Sequence, residues 1–234
     1  MARGQKDSCL ENLKLRILTL DLQPGSMLDE VSLAREYGLS RTPLREVIQR
    51  LAGAGYLNQK ENRGAKVASM DVIAMRTFFQ TAPLIYANIS RLAADNRTDA
   101  QVVTLQIAQD SFAKAVQLKD AASAALANHR FHAVIGEMAH NPYLSASLDR
   151  LLIDHTRLSQ TFYRPVSQED AVLVDEACAQ HDEMIRAIDA GDEKLAMELT
   201  LQHWGLSRDR MERFVKPDPL PVDVINMGFK AHAF

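Results

Sequence analysis

The segment LAREYGLSRTPLREVIQRL, residues 33–51, constrains the fold of this 234-residue chain more than any other. On both sides of the tripeptide GLS, apolar residues recur at the spacings of three and four that mark one face of a helix. Gly38 favours a helix end, while Ser40 and Pro43 are typical of a helix start. Two helices joined by so short a turn form a helix-turn-helix unit.

The second helix of this unit has one apolar face and one charged face. Its apolar positions are Leu44, Val47, Ile48 and Leu51, and its polar stripe consists of Arg41, Arg45 and Gln49. Taken alone, the stripe fits an ordinary solvated surface as well as it fits a binding surface. The flanking segments distinguish the two.

The segments on either side complete a small domain. A helix is predicted over residues 10–20, and the segments YLNQ and AKVAS predict two short strands around the polar tip KENRG. In that tip Gly64 can take a positive φ, and Arg63 adds a positive charge. Three helices followed by a hairpin form a winged helix-turn-helix, whose third helix enters the DNA major groove. We therefore predict a DNA-binding domain over residues 1–70, with the arginine stripe facing DNA.

Charge is unevenly distributed along the chain. Residues 1–70 contain eleven basic and eight acidic residues, an excess of three positive charges. The totals of 27 and 30 leave 16 basic and 22 acidic residues for the remainder. Only the N-terminal part is therefore suited to a polyanion.

Hydropathy and cysteine usage bear on the compartment. No apolar run approaches the roughly 18 to 20 residues that cross a bilayer, and the N-terminus lacks the continuous apolar core of a secretion signal. We therefore expect a cytoplasmic protein without a membrane partner. Cys9 and Cys178 form no CxxC pair, so they predict neither a zinc knuckle nor a disulfide.

The chain after residue 70 is predicted to be almost entirely helical, which makes the fold class mainly α. Breaks such as HNPY and AGDEK separate a bundle of six helices, predicted over residues 71–95, 99–118, 121–139, 142–163, 169–189 and 192–214. Pro83 should kink the first of them. Residues 215–234 contain three of the eight prolines and predict an extended C-terminal tail.

Four residues of the bundle are candidate metal ligands. Asn128 and His132 are four apart and share one helix face, while His181 and His203 lie on the last two predicted helices. Three imidazoles and an amide oxygen would suit a divalent cation, with Zn²⁺ or Ni²⁺ the best candidates. The spacing alone leaves the alternative open that these histidines are only hydrogen bonded or lie at the surface.

The first seventy residues resemble the GntR family of bacterial transcription regulators. The resemblance covers roughly residues 8–70 and rests on LAREYGLSRTP, then LREVIQRLAGAGYL, then NRGAKVA. It implies that Arg35, Arg41, Thr42, Arg45 and Gly64 occupy DNA-contacting positions, to which we add Arg63 in the wing. Arginine near a helix N-terminus can hold a phosphate or read guanine, in agreement with this role.

The bundle resembles the FCD effector domain of FadR-like GntR regulators, through ANHRFHAVIGEMAHNPYL and QHDEMIRAIDAGDEKLAMELTLQHW. That domain commonly holds a metal by one Asp and three His, and Asn128 stands where the Asp is usual. The resemblance also assigns Arg76 to the effector's carboxylate, although Gln80 replaces the family's acidic residue and Arg76 could simply be a surface cation. We interpret His129 and Asn141 as structural residues, and the six helices favour a VanR-like subgroup.

These features predict a ligand-responsive transcription regulator, acting as a repressor on a palindromic operator. We expect a homodimer on double-stranded DNA, controlled by a small carboxylate bound near the metal. A metal sensor is the alternative, with the ion itself as the signal. A metalloenzyme is disfavoured because no motif places a general base or nucleophile beside the histidines.

Overall fold

The computed structural model describes residues 2–59 and 64–213 and confirms the mainly helical fold class. The described part contains nine helices and two strands: α1 Ala2–Leu18, α2 Glu30–Glu36, α3 Arg41–Gly53, β1 Leu57–Gln59, β2 Ala65–Val67, α4 Val72–Asn96, α5 Asp99–Gln117, α6 Ala121–Met138, α7 Pro142–Phe162, α8 Gln168–Ala190 and α9 Glu193–Arg213. Arg63 and the predicted tail over residues 215–234 lie outside the described residues. None of the described helices is long and apolar enough to cross a membrane.

Helices α1 to α3 pack around their own apolar core, which includes Leu13, Ile17, Leu44, Ile48 and Leu51. Asp29 caps α2 by accepting hydrogen bonds from the backbone amides of Val31 and Ser32. Val31 and Leu33 are both apolar at helical spacing, which predicts that both are buried; Leu33 is buried as predicted, but the prediction for Val31 is wrong because its side chain is 65% exposed.

Two further details of this region differ from the sequence prediction. Ser40 occupies the N-cap position of α3, but its side chain makes no capping hydrogen bond. Helix α1 begins at Ala2 rather than near residue 10. Two ion pairs join its first turns to α3, Lys6 with Glu46 and Arg50 with Asp7.

The wing is an antiparallel hairpin in which Leu57 pairs with Val67 and Gln59 with Ala65. On the other edge of β2, Lys66 forms an antiparallel bridge with Met27 in the α1–α2 connection. Gly64 has a φ of +72°, as its place in the hairpin tip predicts.

Helices α4 to α9 form a bundle around a second apolar core, and their bounds agree with the predicted ones to within one or two residues. The predicted helix starts agree with the structure because capping residues mark them. Thr98 forms a capping box at the start of α5, and Asp120, Asn141 and Ser167 cap α6, α7 and α8. Asn141 therefore has the structural role expected of it. Pro83 lies inside α4, which is helical from Val72 to Asn96.

Helix α7 connects the bundle to the winged helix. The guanidinium of Arg157 is completely buried and donates to the carbonyl of Ala68, just after β2, at 2.7 Å. Gln160 donates to the carbonyl of Leu18 at the end of α1. A Cβ on Gly55 would lie 2.4 Å from Cδ of Arg150, so the winged helix approaches α7 closely.

Candidate metal centre and DNA-binding face

Three histidines from three helices meet in the interior of the bundle. His132 on α6, His181 on α8 and His203 on α9 each offer one ring nitrogen, and these atoms lie within 4.8 Å of one another. All three side chains are buried, and so is Asn128, one turn before His132 on α6. The structure therefore brings together the three histidines that the sequence singles out as ligands, with Asn128 on the same helix as His132.

Gln109 on α5 fixes the tautomer of His181. Its amide nitrogen donates to the carbonyl of Cys178 and to the carboxylate of Asp182, both at 3.0 Å. The amide oxygen consequently faces His181 and accepts the Nδ1 proton at 2.9 Å. The Nε2 atom of neutral His181 is left with a bare lone pair, which is the state that binds a metal.

Gln180 fixes His203 in the same way. Its amide nitrogen donates to Glu176 at 3.2 Å, so its oxygen accepts from Nδ1 of His203 at 3.1 Å. The two Nε2 lone pairs then face each other across 3.3 Å. Two facing lone pairs repel each other, and a cation between them removes this repulsion. The distance fits such a cation, because two nitrogen ligands that are each about 2.0 to 2.1 Å from a tetrahedral metal ion are about 3.3 Å apart.

Two more polar atoms at the cluster have no protein partner. Oδ1 of Asn128 and Nε2 of His132 are buried and make no hydrogen bond to any described residue. Orphaned buried polar groups cost free energy unless an ion or water satisfies them. Burial lowers the pKa of His203 to about 4, and burial with the neighbouring imidazoles lowers the pKa values of His132 and His181 well below the usual range. Neutral donors at physiological pH fit a cation, so the cluster could hold a metal ion.

Sequence reasoning missed His155 on α7, a fourth buried histidine beside the cluster. Its ring centroid is 5.3 Å from that of His132, and its Nδ1 is 2.8 Å from the hydroxyl of Tyr86. Burial lowers the pKa of His155 to about 3. The available signal was the segment DHTRLSQ, in which six polar residues are buried without an apolar period.

The other predicted bundle residues lie outside this cluster. Arg76 and Gln80 are exposed on α4, so the structure does not bring Arg76 to the buried histidines, and its effector-binding role stays a prediction. The Nδ1 atom of His129 lies 2.7 Å from the hydroxyl oxygen of Thr156, in agreement with a structural role.

The predicted DNA-contacting residues lie on the exposed side of the winged helix. Arg35, Arg41, Thr42, Arg45 and Gly64 are all exposed, whereas Arg63 lies outside the described residues. The side chain of Arg45 is 71% exposed, and its Nε lies 4.0 Å from a carboxylate oxygen of Glu30, a long ion pair. Arg50 pairs with Asp7 on α1. The N-terminal turns of α3 therefore present exposed cations, while Glu46 and Arg50 pair with α1.

A winged helix joined to a buried polar cluster in a helical bundle defines a DNA-binding transcription regulator with an effector domain. Residues 6–67 match the model of bacterial regulatory proteins of the gntR family, and residues 83–206 match the FCD domain. This chain belongs to the GntR family and carries an FCD domain, in the FadR-like branch. It is a regulator and not an enzyme, because the family and its relatives are transcriptional regulators.

Individual relatives agree with this assignment. The Nta operon transcriptional regulator of Aminobacter aminovorans is 30% identical over 84 residues, which is 36% of this chain and only 40% of that protein. A probable D-xylose utilization operon transcriptional repressor of Paenarthrobacter nicotinovorans is 25% identical over 183 residues, 76% of each chain. The solved structure of E. coli McbR/YncC has a TM-score of 0.77 at 18% identity, covering 91% of this chain and 99% of that one, and so shares the fold.

Proposed function

We propose that this regulator is a homodimeric repressor whose operator affinity is controlled by a small carboxylate bound at a divalent cation in the effector domain. The observation that carries the proposal is the pair of Nε2 lone pairs of His181 and His203, directed at each other across 3.3 Å. Glutamine partners impose this orientation on both rings. Such an arrangement is stable when a cation lies between the nitrogens.

Zn²⁺ or Ni²⁺ suits the donor set of Asn128, His132, His181 and His203, because imidazole nitrogen predominates and only one oxygen donor is present. All four donors are neutral, so a bound divalent ion would keep its full charge and offer a Lewis-acidic position to a carboxylate. In this site the protein's residues orient the ring nitrogens and exclude water. Tyr86, His155 and Trp204 form the adjoining buried aromatic wall.

Helix α7 supports a route from this site to DNA. His155 lies beside the metal cluster, and the residues one before and two after it, Asp154 and Arg157, form a buried ion pair. Arg157 also holds the carbonyl of Ala68, between the wing and α4. A displacement of α7 by the effector would therefore move the segment that positions the wing. The effector acts only through its different affinity for the DNA-competent and DNA-incompetent arrangements.

On DNA, we place α3 in the major groove, with Arg41, Thr42 and Arg45 reaching bases or phosphates and with Arg35, Arg63 and Gly64 at the adjoining backbone. Their exposure in the described part of the winged helix supports this placement for all but Arg63. Two copies would read half-sites about 34 Å apart. A change in the separation of the recognition helices would then lower affinity for both half-sites together.

A metal sensor is the second candidate, favoured by the same lone-pair contact. Without a cation, the two rings must move apart or one must turn over, so the ion alone could change the bundle. Titration of operator affinity with Zn²⁺ and then with chelator, in the absence of organic acids, distinguishes a metal sensor from a carboxylate-responsive regulator.

Elemental analysis of the purified protein, followed by a thermal-shift screen of small carboxylates on the metal-loaded form, tests the main proposal. We expect about one divalent ion per chain and a stabilising acid that changes operator affinity. His203→Ala should lose the bound ion and the response to the acid. His140→Asn should keep the ion and the response, because His140 is an exposed histidine outside the cluster; its φ of +48° is one that asparagine tolerates. Arg76→Gln tests the predicted carboxylate contact separately. A metal-free protein that still responds to an acid would overturn the metal assignment.

A further inference from the structure

A cavity of about 460 Å³ lies at one end of the bundle, apart from the histidine cluster. It is enclosed by the end of α5, the start of α6, the α7–α8 connection and the first turns of α8. This volume is within the range of about 300 to 1,000 Å³ that is typical of small-molecule sites. Neither metal binding by the histidines nor DNA binding requires a cavity at this place.

The floor of the cavity is apolar and its edge is charged. Small and branched side chains such as Val116, Ala124 and Val174 form the floor. Tyr163 also lines the cavity at 7% exposure, and its hydroxyl makes no hydrogen bond to another described residue. This hydroxyl is therefore available to form a hydrogen bond with a ligand or with water.

Two cations line the cavity: Arg164, which already has an interaction partner, and Lys119. Lys119 follows α5 in the left-handed region, with a φ of +56°, and its exposed ammonium forms no ion pair with any described residue. Asp120 next to it is already engaged, because its carboxylate accepts from the amide and the hydroxyl of Ser123. Asp175 of α8 also lines the cavity and repels an anion, which favours the cations Lys119 and Arg164 as the partners of a ligand's negative end.

We propose that this cavity is a second small-molecule site, which takes a monoanionic organic acid with a short apolar body. Its carboxylate accepts hydrogen bonds from the ammonium of Lys119 and the hydroxyl of Tyr163, and its apolar part covers Val116 and Val174. Phe112 separates this site from the metal cluster, with ring centroids 5.2 Å from Tyr163 and 4.9 Å from His181. The proposal is independent of whether a metal is bound.

The test is a titration of the full chain with hexanoate, followed through the methyl resonances of Val116 and Val174. Hexanamide and hexylamine, which share the apolar body, serve as the neutral and cationic probes. Lys119→Met removes the charge, and Ala171→Leu narrows the cavity. Lys114→Met, in the last turn of α5 before Lys119, is the matched control because Lys114 is exposed and outside the cavity. The same titration on chelator-treated protein separates this site from the metal centre.

We expect saturable shifts with hexanoate, weakened by about threefold to tenfold in Lys119→Met, as befits a partly exposed ion pair. Ala171→Leu should abolish them and Lys114→Met should leave them unchanged. The proposal is overturned if hexanoate shifts neither methyl group, or if its binding persists in Ala171→Leu. Equal or tighter binding of hexanamide or hexylamine overturns the assignment to an anion.

Discussion

Replacing Gln109 with Leu should weaken metal binding without touching a proposed ligand. Gln109 is 2% exposed, and its oxygen is the acceptor that fixes the Nδ1 proton of His181. In the variant His181 can turn or change tautomer, so its lone pair is no longer held toward the cluster. Loss of such a supporting hydrogen bond typically costs about 10- to 100-fold in metal affinity, which is about 1.4 to 2.7 kcal/mol at 25 °C.

Competition for Zn²⁺ with a chromophoric chelator measures this affinity on the folded protein. Gln106→Leu is the matched control, because Gln106 lies one turn earlier on the exposed side of α5 and bonds only Asp110. Urea denaturation in the presence of chelator reports the separate cost to folding, since the variant also leaves Asp182 and the carbonyl of Cys178 without their donor. Equal Zn²⁺ affinities for Gln109→Leu and Gln106→Leu would refute the role assigned to tautomer control.

Three further predictions address the other parts of the molecule. Arg45→Ala should lower specific operator affinity by about 10- to 100-fold, since a bidentate arginine–guanine contact is worth about 1 to 3 kcal/mol. Fluorescence anisotropy with operator DNA and with scrambled DNA measures the specific affinity. Arg50→Ala should have a much smaller effect, because the guanidinium of Arg50 pairs with Asp7. Asn128→Asp should raise Zn²⁺ affinity by at least about tenfold because it adds a ligand charge, and an unchanged value in the chelator competition would place Asn128 outside the coordination shell. Arg157→Met should lower the free energy of unfolding by about 2 kcal/mol, because Asp154 loses its buried partner and keeps only Arg150, whose side chain is half-exposed. Urea denaturation measures this loss, and part of it should be recovered when Asp154→Leu is added.

The sequence predicts the elements whose signals are local. Helical periodicity and capping residues such as Thr98 and Asp120 define the bundle to within a residue or two. The four-residue spacing of Asn128 and His132 places both on one face of α6. Periodicity, capping and spacing are properties of single segments, so they can be read from the sequence without knowledge of how the helices pack.

The features that escaped prediction depend on packing between helices. Gln109 and Gln180 are unremarkable in sequence, and their function appears only when α5 and α8 present them to imidazoles of α8 and α9. The buried polar run of α7 carries no apolar period, so its inward orientation could not be read from spacing. Val31 shows the reverse case: its apolar side chain at a helical spacing predicts burial, but the residue lies on the outer side of α2.

The departure at Asn128 gives a reason for a carboxylate effector rather than arguing against a metal. Asn128, His132, His181 and His203 contribute no negative charge, and no acidic residue belongs to their cluster. A divalent ion held by neutral donors in a buried site retains an uncompensated charge, which an incoming carboxylate can neutralise. Metal and acid would therefore bind more tightly together than alone, and by thermodynamic linkage each raises the affinity for the other by the same factor. An aspartate at this position would supply the missing charge internally and reduce that coupling. Under the proposed function, the amide would therefore make retention of the ion, and with it the shape of the bundle, more dependent on the effector.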